Sequence, residues 1–161
     1  MPIFKFRGSI ATMTEATNKS APPSGTRAQE DYLEQIYNLI EEKGYARVVD
    51  VARNLGIAQA SVTNMIQRLD ADGLVIYEKY RGVVLSEDGT KIAKAIIRRH
   101  ESLATFLRLF DLDETTIYED VEGMEHHISP ATLSAFQALT EELTRQPALL
   151  QRVRQNMAER G

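Results

Sequence analysis

From Arg27 onward the apolar positions fall into helical register. Tyr32, Leu33, Ile36, Tyr37, Leu39 and Ile40 recur at spacings of three and four, the period of one helix face. This predicts a helix over 27–42, closed by Lys43-Gly44, where glycine can adopt a left-handed C-cap. A shorter helix fits 48–54, with Val48, Val51, Ala52 and Leu55 turned inward, followed by a turn at Gly56-Ile57. A third runs over 59–71 on the stripe Val62, Met65, Ile66 and Leu69, and Asp72-Gly73 stops it. There the period changes. Residues 74–79 and 83–85 are β-prone, and joined by Tyr80-Arg81-Gly82 they predict a short hairpin. Ser86 is a natural N-cap for a long helix over 87–110. Further helices are expected over 114–127, from Pro130 after the cap Ser129, and over 148–158 beyond Pro147.

Three short helices followed by a hairpin make a helix-turn-helix with a wing. The expected fold is therefore mainly α: an N-terminal winged helix-turn-helix over 27–92, with its β-hairpin wing, then an all-α domain over 93–161. Residues 1–26, rich in Ser, Thr, Ala and Pro, are expected to be a disordered tail, and Met13 is an alternative start. No internal repeat is visible.

Charge sharpens this division. The net charge of −4 is unpromising for a nucleic-acid binder, but it is unevenly spread. Residues 1–42 carry 4 basic and 6 acidic residues, 43–99 carry 10 and 6, and 100–161 carry 5 and 11. The basic middle coincides with the winged helix, as expected of a surface that meets phosphate. On the third helix Gln59, Ser61, Thr63, Asn64, Gln67 and Arg68 form the polar face. The helix enters a major groove by its N-terminal half, so Gln59, Ser61, Thr63 and Asn64 are the candidates for bases and nearby phosphates, and Arg68 for a phosphate. Lys79 and Arg81 would reach DNA from the wing. Any amphipathic helix has a polar face; the order of elements and the local charge favour DNA. The chain has no cysteine, which excludes disulfides, thiolate metal sites and cysteine nucleophiles and suits a reducing cytoplasm. It has no run of about 18 apolar residues that would span a membrane, and its first residues lack the apolar stretch of a signal peptide. A cytoplasmic location without membrane partners is expected.

A second set of residues carries different chemistry. Asp31 and Glu34 lie three apart, so their carboxylates share a face of the first helix. Glu122, Glu125 and His126 stand at i, i+3 and i+4 on a later helix, and His100 lies in the long helix between. His127 points about 100° away from His126 and is read as a bystander or an outer-shell residue. Each piece has an ordinary explanation: an acidic pair favours a helix dipole, and a lone helical histidine is packed or solvated. Converged, they would give four carboxylates and two imidazoles, a self-repelling set unless a cation intervenes. Oxygen and imidazole donors without sulfur suit Mn²⁺ or Fe²⁺. The residues alone leave both readings open. They also admit a dimetal carboxylate enzyme, although the Glu-x-x-His pairs such enzymes place on two helices are missing.

Four stretches resemble the diphtheria toxin repressor family, and most closely its manganese transport regulator branch. They are Glu30-Asp31-Tyr32-Leu33-Glu34-Gln35-Ile36-Tyr37, Glu41-Glu42-Lys43-Gly44-Tyr45-Ala46-Arg47-Val48, Ile76-Tyr77-Glu78-Lys79-Tyr80-Arg81-Gly82 and Asp120-Val121-Glu122-Gly123-Met124-Glu125-His126-His127. The resemblance covers about residues 27–130. It implies a transcription regulator and not an enzyme: a homodimer joined through the C-terminal domain that binds a double-stranded DNA operator and two metal ions per subunit. The family's ligands carry over to Asp31, Glu34, His100, Glu122, Glu125 and His126. Asp31, His100, Glu122 and Glu125 would hold one ion, and Glu34, Glu122, Glu125 and His126 its neighbour, with the Glu122 carbonyl as an optional further donor. Iron-responsive members, the alternative within the family, place methionine where Asp31 stands and cysteine where Glu125 stands. Two carboxylates there favour Mn²⁺, with Fe²⁺ or another divalent ion as alternatives. The few residues after 145 leave no room for the iron branch's SH3-like third domain. The implied function is a Mn²⁺-activated repressor of manganese uptake genes.

Overall fold

A computed structural model describes residues 27–78 and 82–160. The chain divides into two compact units, one up to Lys94 and one from Ala95. In the first, α1 (Arg27–Lys43), α2 (Val48–Leu55) and α3 (Gln59–Ala71) precede the strands β1 (Val75–Glu78) and β2 (Gly82–Leu85). The helix α4 (Glu87–Arg108) runs from the first unit into the second, which continues with α5 (Glu114–Met124), α6 (Pro130–Arg145) and α7 (Pro147–Ala158).

The first unit closes around Leu33, Ile36 and Leu39 of α1, Val51 and Leu55 of α2, and Val62, Ile66 and Leu69 of α3, with Val75 and Val83 from the strands. These are the positions the helical periods select. The helix ends follow their glycines: Gly44, Gly56 and Gly73 all have positive φ, and the Gly44 N–H returns to the Ile40 carbonyl at 2.7 Å. The hairpin is antiparallel, pairing Val75 with Leu85 and Glu78 with Gly82. Two long-range bonds tie α3 into place. The Tyr77 N–H donates to Asp70 Oδ1 at 3.1 Å, fixing wing to helix, and Gln29 donates to Asp72 Oδ2 at 3.1 Å, fixing the start of α1 to the end of α3.

A feature the hydrophobic pattern does not reveal is a third element of the wing. Ala46 forms an antiparallel bridge with Val83, whose N–H donates to the Ala46 carbonyl at 2.9 Å. Gly82 permits it: at φ 105° a Cβ there would stand 2.5 Å from that carbonyl oxygen. Strand β1 starts at Val75 and not at Leu74; at the root of the hairpin the Leu74 carbonyl accepts from both the N–H and the hydroxyl of Ser86, each at 3.0 Å. Ser86 in turn caps α4 by accepting from the Gly89 N–H. Gly89 fits because a Cβ there would meet the Leu74 oxygen at 1.9 Å.

The expected bounds of two later helices are corrected. Helix α4 stops at Arg108, not at residue 110, because Leu109, Phe110 and Asp111 bond three residues back in a tightened turn and Asp111 then takes φ 58°. Asp113 starts α5 by accepting from the Thr115 and Thr116 N–H groups. Helix α5 ends at Met124, not at residue 127: His127 bonds to the Met124 carbonyl, and Pro130 keeps Ser129 extended. The core of the second unit is small: Leu103, Ala104, Ile117 and Val121, flanked by Leu107, Leu112, Ile128, Leu133 and Phe136. Neither α6 nor α7 buries a residue fully.

Candidate metal centre and DNA-binding surface

Helices α4 and α5 bring three of the expected ligands together. Donor atoms of His100, Glu122 and Glu125 lie within 4.8 Å of one another. His100 Nδ1 is 3.1 Å from Glu125 Oε2 and 3.9 Å from Glu122 Oε1. On the other side of Glu125, His126 Nε2 is 3.6 Å from Oε1. Glu122, Glu125 and His126 therefore stay close together despite the helix's early end. Glu125 is the C-cap with α-helical dihedrals, and its N–H still bonds to Val121, so Glu122 and Glu125 share a face. His126 enters through the turn that follows.

Glu125 is the unusual member. Its residue is 1% exposed, the only acidic side chain among the largest fully buried ones of the described residues. A carboxylate out of water costs several kcal/mol unless compensated. Here the compensation is the hydrogen bond to His100 at 3.1 Å, while His126 Nε2, at 3.6 Å, stands beyond hydrogen-bond reach. To donate to an ionised Glu125, His100 must carry its proton on Nδ1. An octahedral divalent ion with bonds near 2.1 Å holds its ligand atoms about 3 to 4.2 Å apart. The cluster thus needs only a small contraction to surround such an ion, and its oxygen and nitrogen donors fit a hard or borderline metal. Tyr118 packs its ring near His100, at 6.4 Å between centroids. Asp31 and Glu34 lie on α1 in the first unit, Asp31 half-buried and Glu34 buried. His127 is exposed.

The other surface is built on α3. Val62, Ile66 and Leu69 anchor one face in the core, which turns Gln59, Ser61, Asn64, Gln67 and Arg68 to solvent. Thr63 differs: it is half-buried, and its hydroxyl donates to the Gln59 carbonyl at 3.0 Å, leaving its oxygen as an acceptor and its methyl for outside contact. Lys79 and Arg81 lie outside the described residues. Residue patterning missed the stack of the Arg47 guanidinium on the Tyr45 ring, 4.6 Å from its centroid. The available signal was the alternation around Ala46: in an extended segment, residues two apart share a face.

Residues 26–83 match the family described as iron dependent repressor, N-terminal DNA binding domain, and residues 86–152 match iron dependent repressor, metal binding and dimerisation domain. The HTH-type transcriptional regulator MntR of Bacillus subtilis (strain 168) is 59% identical over 104 residues, covering 65% of this chain and 73% of that protein. Among solved structures, the manganese regulator SloR superposes with a TM-score of 0.62 at 25% identity, over 70% of this chain and 53% of its own. ScaR with bound Zn²⁺ gives 0.60 at 27% identity, over 70% and 53%. The chain thus spans about half the length of these two solved relatives. No helix among the described residues is long and apolar enough to cross a membrane. Both halves of the family, reader and metal-binding domain, are present in order, and the chain belongs to the diphtheria toxin repressor family of metal-dependent, DNA-binding transcription regulators, in its MntR branch.

Proposed function

We propose that the chain is a Mn²⁺-activated repressor of manganese uptake genes, acting as a homodimer on double-stranded operator DNA. The observation that carries this reading is the buried Glu125 carboxylate between His100 and His126, with Glu122 alongside: a donor set of oxygen and imidazole without sulfur. In the full set, Asp31, His100, Glu122 and Glu125 hold one ion, and Glu34, Glu122, Glu125 and His126 a second. A divalent cation supplies the positive charge that offsets repulsion among these carboxylates. Asp31 and Glu34 belong to the reader's first helix and the other ligands to the dimerisation domain, so ligation by both sets joins reader to dimer. That fixes the separation of the two copies of α3, which must suit half-sites about 34 Å apart or multiples of it. Gln59, Ser61, Thr63 and Asn64 then contact bases and near phosphates, with Arg68, Lys79 and Arg81 on phosphates.

Because coupling is reciprocal, metal tightens DNA binding by the factor that DNA tightens metal binding. The test is affinity for a duplex selected from a randomised pool, measured with and without Mn²⁺. We expect tighter binding with the metal; equal affinity in both conditions would sink the reading. Ligand softness supplies a second test. The double variant Asp31→Met with Glu125→Cys should respond to Fe²⁺, and a response to Mn²⁺ alone would reject that account of selectivity.

A further inference from the structure

We propose that Arg47, held on the ring of Tyr45 beside strand β2 of the wing, is a phosphate contact of the DNA-binding surface. The inference rests on the DNA-binding reading of this domain and adds to it a residue outside the reading helix and the wing tip. Ala46 is buried as the third element of the wing, so Tyr45 and Arg47 on either side of it are both turned to solvent. The guanidinium lies over the Tyr45 ring at 4.6 Å from its centroid. A cation stacked in this way is held in position while its N–H edges stay available for hydrogen bonds.

Two further observations show that this charge is reserved. The nearest acidic residue in the chain, Asp50, is occupied by other cations: Arg53 at 3.3 Å and Lys43 at 4.0 Å. Among the described residues Arg47 forms no ion pair. Its position is also fixed relative to the wing. The site of a Cβ on Gly82 would be 3.8 Å from Arg47 Cγ, and the Val83 N–H is bonded to Ala46. Gly82 directly follows Arg81 in the chain, and Lys79 is two residues earlier. Arg47 therefore adds its charge beside Gly82, next in the chain to the basic segment that holds Lys79 and Arg81, and a polyanion is the complementary partner. Tyr45, exposed at 42%, presents a phenol hydroxyl and ring edge beside it. A phosphate contact fits better than a base contact, because the side chain is anchored beside the wing and not on α3, which enters the groove.

The experiment measures binding of the metal-loaded full chain to two labelled duplexes, one of mixed sequence and one selected from a randomised pool, across a range of salt. Variants are Arg47→Ala, Arg47→Lys, Tyr45→Phe and Tyr45→Leu. In the dimer, Arg47→Ala should weaken both duplexes roughly tenfold or more and flatten the slope of log affinity against log salt by about 2, one for each lost phosphate contact. Arg47→Lys should retain most of the slope. Tyr45→Phe should behave as the wild type, while Tyr45→Leu should lose part of the affinity with the charge still present. Mn²⁺ affinity and the thermal midpoint report folding in every variant. An unchanged salt slope in Arg47→Ala, or a loss confined to the selected duplex, would overturn the inference while leaving DNA binding intact. A wild-type protein that binds neither duplex would overturn the DNA-binding reading itself.

Discussion

In the first unit, α1, α2, α3 and the wing enclose a continuous apolar core in which Leu33, Ile36, Leu39, Val62, Ile66 and Leu69 have no exposed surface. In the second, the buried apolar residues are few, α6 and α7 bury none fully, and Leu139 and Met157 stay half-exposed. Its deepest carboxyl group, Glu125, is hydrogen-bonded to the His100 imidazole and has that of His126 at 3.6 Å. The reader is thus held together by ordinary hydrophobic burial along its own chain. The dimerisation domain keeps apolar surface on α6 and α7 and a costly buried carboxylate on α5. Both features make sense if that domain is completed by other species: a second copy over the apolar faces and a cation among the carboxylates. A regulator gains from this difference, because the part that reads DNA keeps its shape while the part that senses metal responds to it.

The largest effect should come from the packed core. Ile66→Ala removes a fully buried side chain and should cost about 2–5 kcal/mol in urea unfolding. Leu139→Ala on α6 should cost under about 0.5 kcal/mol under conditions that keep the protein monomeric. Leu139→Asp should instead shift the protein from dimer to monomer in sedimentation. Equal costs for Ile66 and Leu139 in the monomer would erase the contrast between the units.

Next comes the metal centre. Glu125→Gln keeps the shape but removes the charge, and Mn²⁺ affinity by equilibrium dialysis should fall about a hundredfold or more, beyond the effect of losing an outer-shell partner. The first unit should unfold as before. Wild-type metal affinity in this variant would remove Glu125 from the ligand set.

Metal should also stabilise the wild type. At a hundred times its Kd, Mn²⁺ should add about 2.7 kcal/mol, seen as a raised thermal midpoint that chelation reverses. Glu125→Gln should show little of this rise.

The smallest effect concerns the corner between α4 and α5. The Thr116 hydroxyl and N–H hold the Asp113 carboxyl below its ordinary 3.8, and the Arg108 guanidinium holds Glu114 below 4.5. Folded-state values below the unfolded ones mean that this stabilisation is complete above the ordinary carboxylate range. It fades as pH falls through the depressed values. Asp113→Ala should therefore lower the thermal midpoint slightly at pH 7, and the gap to wild type should close in strong acid. A gap that widens in acid would contradict the cap. Both carboxyls are exposed, so salt should shrink the Glu114 part of the effect.

Most helices could be read along the chain because their determinants are local. Periodic apolar residues set the buried faces, Gly44, Gly56 and Gly73 end the first three helices, and Ser86, Ser129 and Pro130 begin later ones. The helix-end errors at residues 108–110 and 124–127 arose where apolar or polar periodicity continues past a change in backbone. Asp111's positive φ and the turn at His127 carry no strong residue signature. Candidate ligands were legible as residue types at helical spacing, but their ordinary explanations were equally compatible with the same letters. Resemblance to a family separated these readings.

By itself, then, the sequence determined which residues form helices, where the wing begins, and that hard donors without sulfur are available. The tertiary structure decided which of them meet. His100 and Glu125 are 25 positions apart, and only the packing of α4 against α5 within the second unit brings a nitrogen and an oxygen to 3.1 Å. Ala46 is still farther from Val83 along the chain, and their bridge turns Tyr45 and Arg47 outward together. Such contacts depend on where whole helices and strands lie, and helix periodicity reports only which face of each is buried.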